Sequence, residues 1–173
     1  MRRRFDNLVD EHGPRLLQLA RLLLRSNAEA EDVVQDCLVK LWHHLPDLRV
    51  GAELGWLITC TRNACLDRLR GHRRRQGLLM AVAAATENDP APGFVSPDQA
   101  IEARQQAQRL HAAIAAMPEP GRSLLILRDI QEVDVATVSK TLSLTENQVK
   151  VYTFRARRAL RRRLEEEVHE QVA

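Results

Sequence analysis

The sequence predicts an all-α fold in two small helical domains joined by a flexible linker, and three observations carry that prediction. Aromatic residues are only 3% of the 173, while apolar residues as a whole reach 45%. Cores must therefore be assembled from Leu, Val, Ile and Ala, which at helical spacing favour helix over sheet. In AEDVVQDCLVKLW, residues 30–42, apolar side chains recur at the i, i+4, i+8 spacing of a buried helix face. TENDPAPGFVSPD, residues 86–98, holds three prolines, one glycine and few large apolar residues, a composition that marks a linker. We place the domains at residues 1–75 and 99–173, with residues 76–98 between them.

Taken in order, Leu8, Val9, Leu16, Leu17, Leu19, Ala20, Leu23 and Leu24 supply a first helical segment, which Gly13-Pro14 is expected to bend or interrupt. Ser26-Asn27 reads as a loop. On the helix that follows, Val33, Val34, Cys37, Leu38, Leu41 and Trp42 form the buried stripe, and Asp32, Gln35, Asp36 and an exposed Val39 occupy the other face. HHLPDLRVGAE, residues 43–53, is a proline-bearing loop, and a further helix runs from about residue 54 to residue 69. Residues 77–85 either extend that helix or fray into the linker. Beyond residue 99 comes an amphipathic stretch containing Leu110, Ile114 and Met117, then a short helix that Pro118 and Pro120 start and SLLILRDI continues. After Leu164 only an acidic tail is expected, as an extension of the last helix and without an added domain.

The formal net charge of +3 understates how polar the chain is, because its basic residues are bunched. RLRGHRRR, residues 68–75, has five Arg in eight, and RARRALRRR, residues 155–163, has six in nine. Two separated basic clusters point to two contacts with a polyanion. Cys37, Cys60 and Cys65 are odd in number and lack a CxxC spacing, so they are expected as reduced core thiols of a cytosolic protein rather than as metal ligands. MRRRF opens the chain with arginines, but acidic and amide residues follow instead of an apolar signal core. No run approaches the ~18 apolar residues of a membrane span. A cytoplasmic protein with no membrane insertion is expected.

The sharpest local signal lies in residues 134–160. Val135, Val138 and Leu142 line one helix, Ser139 is small where two helices cross, Ser143-Leu144 makes a turn, and Val149 packs a second helix back. Thr145 is a natural N-cap and Gln148 stands at the N3 position of a capping box. The pattern is a helix-turn-helix, in which the first helix braces the second so that its N-terminal turns enter a major groove. On the second helix Glu146, Asn147, Lys150, Tyr152, Thr153 and Arg157 are candidates to face a partner, while Arg155, Arg158 and the later arginines reach phosphates.

With both halves read, the whole chain resembles a bacterial RNA polymerase sigma factor of the sigma-70 family, extracytoplasmic-function (ECF) type. The resemblance rests on AEDVVQDCLVKLW, GWLITCTRNACLDRLR at residues 55–70, MPEPGRSLLILRDI at residues 117–130, and the helix-turn-helix ending in RARRAL, in that order across a linker of suitable length. It implies that the first domain is sigma region 2 and the second is region 4. It implies that the helix over residues 30–42 docks on the clamp helices of the largest catalytic subunit of core RNA polymerase. Asp32, Gln35, Asp36 and Val39 are assigned to that contact, Asp36 foremost. An acidic, partly apolar face suits a protein partner offering basic and apolar groups, and it leaves promoter DNA to the arginine-bearing helices.

Resemblance further implies that the loop at residues 43–53 and the helix from Trp56 handle the minus-10 element. The helix contacts the strand being opened and the loop holds a flipped base. Thr59, Arg62, Asn63, Asp67 and Arg70 are placed broadly on one side of that helix, opposite Leu57, Cys60 and Ala64. Asn63 matches a promoter-reading position, Arg62 and Arg68 are phosphate contacts, Asp67 and Arg70 join them among the minus-10 contacts, and His44 and Leu48 are candidates for the base pocket. The last helix is implied to read the minus-35 element. Here the sequence departs from the family: Tyr152, Thr153 and Phe154 stand where many members have Arg, Leu and His, and Ser143 stands for the small turn glycine. An anti-sigma protein is a further implied partner.

No glycine-rich phosphate loop, HExxH or nucleophile elbow occurs. The chain is accordingly expected to be a non-enzyme, with no cofactor and no metal. A transcription initiation factor is thus the reading. Its rivals are a stand-alone helix-turn-helix regulator, which leaves the arginines of residues 68–75 unexplained, and a protein-binding adaptor, which predicts no salt-sensitive DNA affinity.

Overall fold

A computed structural model describes residues 1–24, 26–78 and 97–172, and seven α-helices account for most of them, with no strand among the described residues. In order these are α1 (Arg2–Leu23), α2 (Asn27–His44), α3 (Glu53–Leu78), α4 (Pro97–Ala115), α5 (Gly121–Leu125), α6 (Val135–Leu142) and α7 (Glu146–Val172). Helix α5 runs on into a π turn over Ile126–Ile130, where the Gln131 N–H donates to Ile126 O at 2.9 Å. The chain divides into two compact units, the first built on α1–α3 and the second on α4, α5, the π turn and α7.

In the first unit the buried side chains are almost all aliphatic: Leu16, Leu19, Leu23 and Leu24 from the α1 side, Val33, Cys37 and Leu41 from α2, and Leu57, Ile58 and Cys65 from α3. These positions recur every three or four residues, so each helix offers one stripe to the other two. Helix α1 is not interrupted at Gly13-Pro14, as the sequence suggested, and Pro14 lies inside it. Pro14 and Asp10 are both exposed. The Asp10 carbonyl that loses its helical donor to the proline ring therefore faces water, where the loss is least costly. Nor is Ser26-Asn27 wholly loop. Asn27 opens α2, and the Ser26 hydroxyl caps it by accepting from the Glu29 N–H at 3.3 Å.

Helix α3 is longer than the sequence indicated. It begins at Glu53, carries the arginine cluster within it and continues to Leu78. Helix α4 begins at Pro97, so both edges of the expected linker are helical, and residues 79–96 lie outside the described residues. Trp42 corrects another expectation. It does not belong to the buried stripe but is 37% exposed, with the Phe5 ring set edge-on against it at 5.1 Å and 89°. Leu110 of α4 is likewise exposed, whereas Ile114 and Met117 are buried.

The second unit centres on Leu124, Leu125, Ile126 and Leu127, wholly enclosed or nearly so, with Met117 and Ala156 beside Leu125. Arg122 is buried among them, yet its Nε donates to Glu119 Oε1 at 3.0 Å. That pairing is what makes a buried guanidinium tolerable.

Candidate protein-docking and nucleic-acid interfaces

The outer face of α2 is set by helical phase. Because Val33, Val34, Cys37 and Leu41 turn inward, Asp32, Gln35, Asp36 and Val39 must turn outward, and all four are exposed, Val39 at 60%. The carboxylates are not isolated. Arg68 of α3 reaches over to Asp32 Oδ2 at 3.4 Å and Asp36 Oδ2 at 3.7 Å. Pairs this long on an exposed surface contribute about 0–1 kcal/mol, so both acids stay available to a cation from outside. Glu29, at the start of the same helix, meets His72 Nε2 at 2.8 Å.

Between α2 and α3 the loop over residues 45–52 is fixed by two charged residues that sequence reasoning did not single out. Arg4, from the first turn of α1, donates to the Leu45 carbonyl at 3.1 Å, the Leu48 carbonyl at 2.9 Å and Glu53 Oε1 at 2.6 Å. Glu53 accepts a second bond from the Gly51 N–H, at 2.5 Å. Burial raises the carboxyl's pKa, but the Arg4 guanidinium and the backbone amides outweigh it and hold Glu53 below its usual 4.5. Gly51 takes φ +88°, a left-handed conformation that glycine adopts without strain. Leu48 is half-buried and His44 is exposed, its ring tilted against Trp56 at a centroid distance of 5.6 Å. Val50, at the tip, is 88% exposed. The only hint of this clamp was a glutamate at the end of a loop and an arginine in an otherwise solvated N-terminal triplet.

On α3 the exposed side carries Asn63, Asp67, Arg70, Arg73, Arg74 and Arg75. The inward side consists of Leu57, Ile58, Thr61 and Cys65, with Cys60 and Ala64 only half-buried. The helix is therefore rotated by about one residue from the phase the sequence suggested. Arg62 is half-buried and its Nη1 donates to Asn63 Oδ1 at 3.3 Å. Arg70 pairs with Asp67 at 2.8 Å.

The helix-turn-helix is closed by side chains. The Thr145 N–H donates to Gln148 Oε1 at 2.8 Å and the Gln148 N–H returns to Thr145 Oγ1 at 3.2 Å, so the capping box read from the sequence is present. The Ser139 hydroxyl donates to the Leu144 carbonyl at 2.5 Å across the turn, and Asp134 caps α6 by accepting from the Thr137 N–H at 2.8 Å. Ser143 holds φ +54°, the conformation for which the family's glycine is suited.

Glu146, Asn147, Lys150, Arg155, Arg157 and Arg158 of α7 are exposed and Tyr152 is half-buried. Thr153 is not a partner-facing residue: it is 5% exposed, on the inner stripe with Val149 and Ala156. At spacings of four and three it shares the phase of the apolar positions, and a threonine there takes the place of a core leucine. Its hydroxyl has no hydrogen-bond partner. Arg157 is exposed but engaged, gripping Asp129 of the π turn with Nε at 2.8 Å and Nη2 at 2.5 Å. Phe154 and Val151, neither assigned a partner-facing role from the sequence, are 67% and 39% exposed beside Lys150. An aromatic residue directly before RARRAL was the available signal.

A family model described as Sigma-70 region 2 matches residues 8–75, and one described as Sigma-70, region 4 matches residues 107–160. The ECF RNA polymerase sigma factor SigM of Mycobacterium tuberculosis is 31% identical over 161 residues, covering 92% of this chain and 76% of that protein. SigW of Bacillus subtilis is 24% identical over 166 residues, with 92% and 88% covered. SigE of Mycolicibacterium smegmatis is 27% identical over 158 residues, and there the chain spans 60% of the relative's length. Among solved structures, the sigma factor RpoE in complex with the anti-sigma factor NepR, from Bartonella quintana, has a TM-score of 0.75 at 22% identity, covering 93% of this chain and 96% of that one. CnrH in complex with the cytosolic domain of CnrY gives 0.70 at 24% identity, covering 95% and 90%. At those identities the two structures speak to the fold.

Proposed function

The chain belongs to the extracytoplasmic-function group of sigma-70 factors, and from that membership we propose how it programs core RNA polymerase. The outer face of α2 docks on the polymerase, α3 with the loop before it engages the minus-10 element, and α7 reads the minus-35 element. The observation that carries this reading is the segregation of surfaces. The acids and the exposed Val39 share one face of α2, whereas the outward groups of α7 from Lys150 to Arg163 are basic or apolar. A polyanion is repelled by the first surface and attracted by the second, and a basic, apolar protein surface has the opposite preference.

At the minus-10 element, Asn63 is the base-reading group, with Arg62 and Arg70 beside it as phosphate contacts. A flipped base gives up stacking worth about 1–3 kcal/mol, and a pocket already fixed before DNA arrives recovers it without an ordering cost. The Arg4–Glu53 clamp supplies that rigidity to the loop bearing His44 and Leu48. At the minus-35 element, Asn147 and Lys150 lie in the first turns of α7, where a recognition helix meets base edges. Glu146 flanks them, Tyr152 and Phe154 offer ring surface to sugars and thymine methyls, and Arg155 and Arg158 take phosphates.

The chain's own part is recognition, and the chemistry of RNA synthesis belongs to the polymerase it joins, in the bacterial cytoplasm. No helix of the described residues is long and apolar enough to cross a membrane. An anti-sigma protein is the expected negative partner, since a fold of this kind is known in complex with one. Run-off transcription with purified core polymerase on DNA carrying a random upstream library tests the proposal. Discrete transcripts that require the chain and share a two-block upstream motif are expected. DNA binding without any programmed transcription would replace this reading with that of a free-standing regulator.

A further inference from the structure

The inner faces of α2 and α3 bring two sulfurs together. Cys37 Sγ and Cys60 Sγ share a hydrogen bond at 3.2 Å, and all three cysteines are thiols. Cys37 is wholly enclosed, whereas Cys60 is half-buried. One of the two cysteines is thus partly open to solvent, and the other lies enclosed beside it. The hydrogen bond with Cys37 draws the Cys60 thiol down to about 7, with burial opposing and the Lys40 ammonium helping. The same hydrogen bond and burial push Cys37 up, so it keeps the proton. A half-buried thiolate beside a second thiol is the arrangement in which oxidation stops at a disulfide instead of climbing to irreversible acids.

We propose that Cys37 and Cys60 form a peroxide-oxidisable dithiol that closes to a disulfide between α2 and α3. The Cys60 thiolate attacks one oxygen of a hydroperoxide, an S–O bond forms as the O–O bond breaks, and the departing hydroxide or alkoxide takes up a proton. Cys37 then gives up its proton and its sulfur attacks the sulfenic sulfur of Cys60. The S–S bond forms, the S–O bond breaks, and hydroxide leaves as water. Two thiols lose two electrons, and hydrogen peroxide is reduced to two waters. An S–S bond of about 2.05 Å requires the sulfurs to close by roughly 1 Å from their present separation. The product ties the helix bearing Asp32 and Asp36 to the helix bearing Arg68. The inference stands whichever partner covers the outer face of α2.

The test treats the reduced, full-length chain with hydrogen peroxide, alkylates under denaturing conditions, and reads intact mass and proteolytic peptides. Two of the three thiols should disappear into one intramolecular link between Cys37 and Cys60, restored by dithiothreitol. The rate should rise about tenfold per pH unit below 7 and level off above it, following the thiolate fraction. Cys65→Ser should form the same link, and Cys60→Ser should form none. Consumption of Cys65, links between chains, or three intact thiols in protein that remains helical by circular dichroism would each overturn the proposal. Because the peptide map of the wild type identifies the link by itself, the outcome does not depend on how well Cys60→Ser folds.

Discussion

Helices α3 and α7 carry the two arginine clusters, and they deploy them differently. On α3, Arg68 leans back over Asp32 and Asp36, Arg70 pairs with Asp67, and His72 meets Glu29. Part of that positive charge is answered within its own unit, and Arg73, Arg74 and Arg75 are exposed beyond it. On α7, Arg157 is gripped by a carboxylate, Asp129, while Arg155, Arg158, Arg161 and Arg162 are exposed along the helix. A count of arginines overstates how many phosphates a helix can neutralise, because local carboxylates compete for the same guanidinium groups. The comparison predicts a modest salt dependence for DNA contact through α3 and a steep one through α7, at about −0.9 in log–log slope per phosphate neutralised.

The strongest way to break this division is at the acid face. Asp36→Arg should weaken association with core polymerase by at least about 30-fold, the scale of a 2 kcal/mol hot spot. Only weak exposed pairs are lost, so circular dichroism should show the fold intact. Unchanged affinity in a polymerase titration would remove Asp36 from the interface. Next in size is the clamp on the loop. Glu53→Gln should cost about 2 kcal/mol of stability, since a buried carboxylate loses its charge-assisted bonds to Arg4 and the Gly51 N–H, and should impair promoter opening, followed by permanganate reactivity of thymines, more than closed-complex binding. Equal opening would mean that the loop needs no such support.

The clamp also sets a pH dependence. The folded Glu53 carboxyl titrates below its usual 4.5, so the unfolded chain binds its proton first. The stability it contributes is complete above that value and is lost as pH falls through the lower, folded one. Acid unfolding followed by circular dichroism should show the wild type losing more stability than Glu53→Gln across that window.

Smaller effects sharpen the account of α7. Arg158→Ala should lower the salt slope of DNA binding by about 1 while leaving sequence preference nearly unchanged. Thr153→Val removes a buried hydroxyl that has no partner and should be neutral or stabilising by up to about 1 kcal/mol, with DNA affinity unchanged. A drop in affinity would restore Thr153 to the DNA-facing side. Ser143→Gly should stabilise by about 1 kcal/mol by relieving its left-handed backbone, visible as a raised melting temperature.

What the sequence disclosed, and what it hid, divides along range. The Thr145–Gln148 box, the outward acids of α2 and the inward Val33, Cys37 and Leu41 depend on neighbours three and four residues away, so they could be read directly. Thr153 was misjudged because one residue is 100° of helical rotation, and a polar side chain in a basic stretch reads as surface. Pro14 was misjudged because its penalty depends on whether the freed carbonyl meets water. The Arg4–Glu53 clamp spans 49 positions and the Cys37–Cys60 contact 23. Neither has any local pattern, because both exist only once three helices have packed.

In the proposed complex α2 meets protein and α7 meets DNA, a division of labour. It is tested most directly by placing a photo-crosslinking amino acid at Val39 or at Phe154, exposed positions on the two faces, and irradiating the assembled polymerase–promoter complex. Position 39 should crosslink to the largest catalytic subunit and not to DNA, and position 154 to upstream DNA. Crosslinking of position 39 to DNA, or of position 154 to protein alone, would contradict the claim.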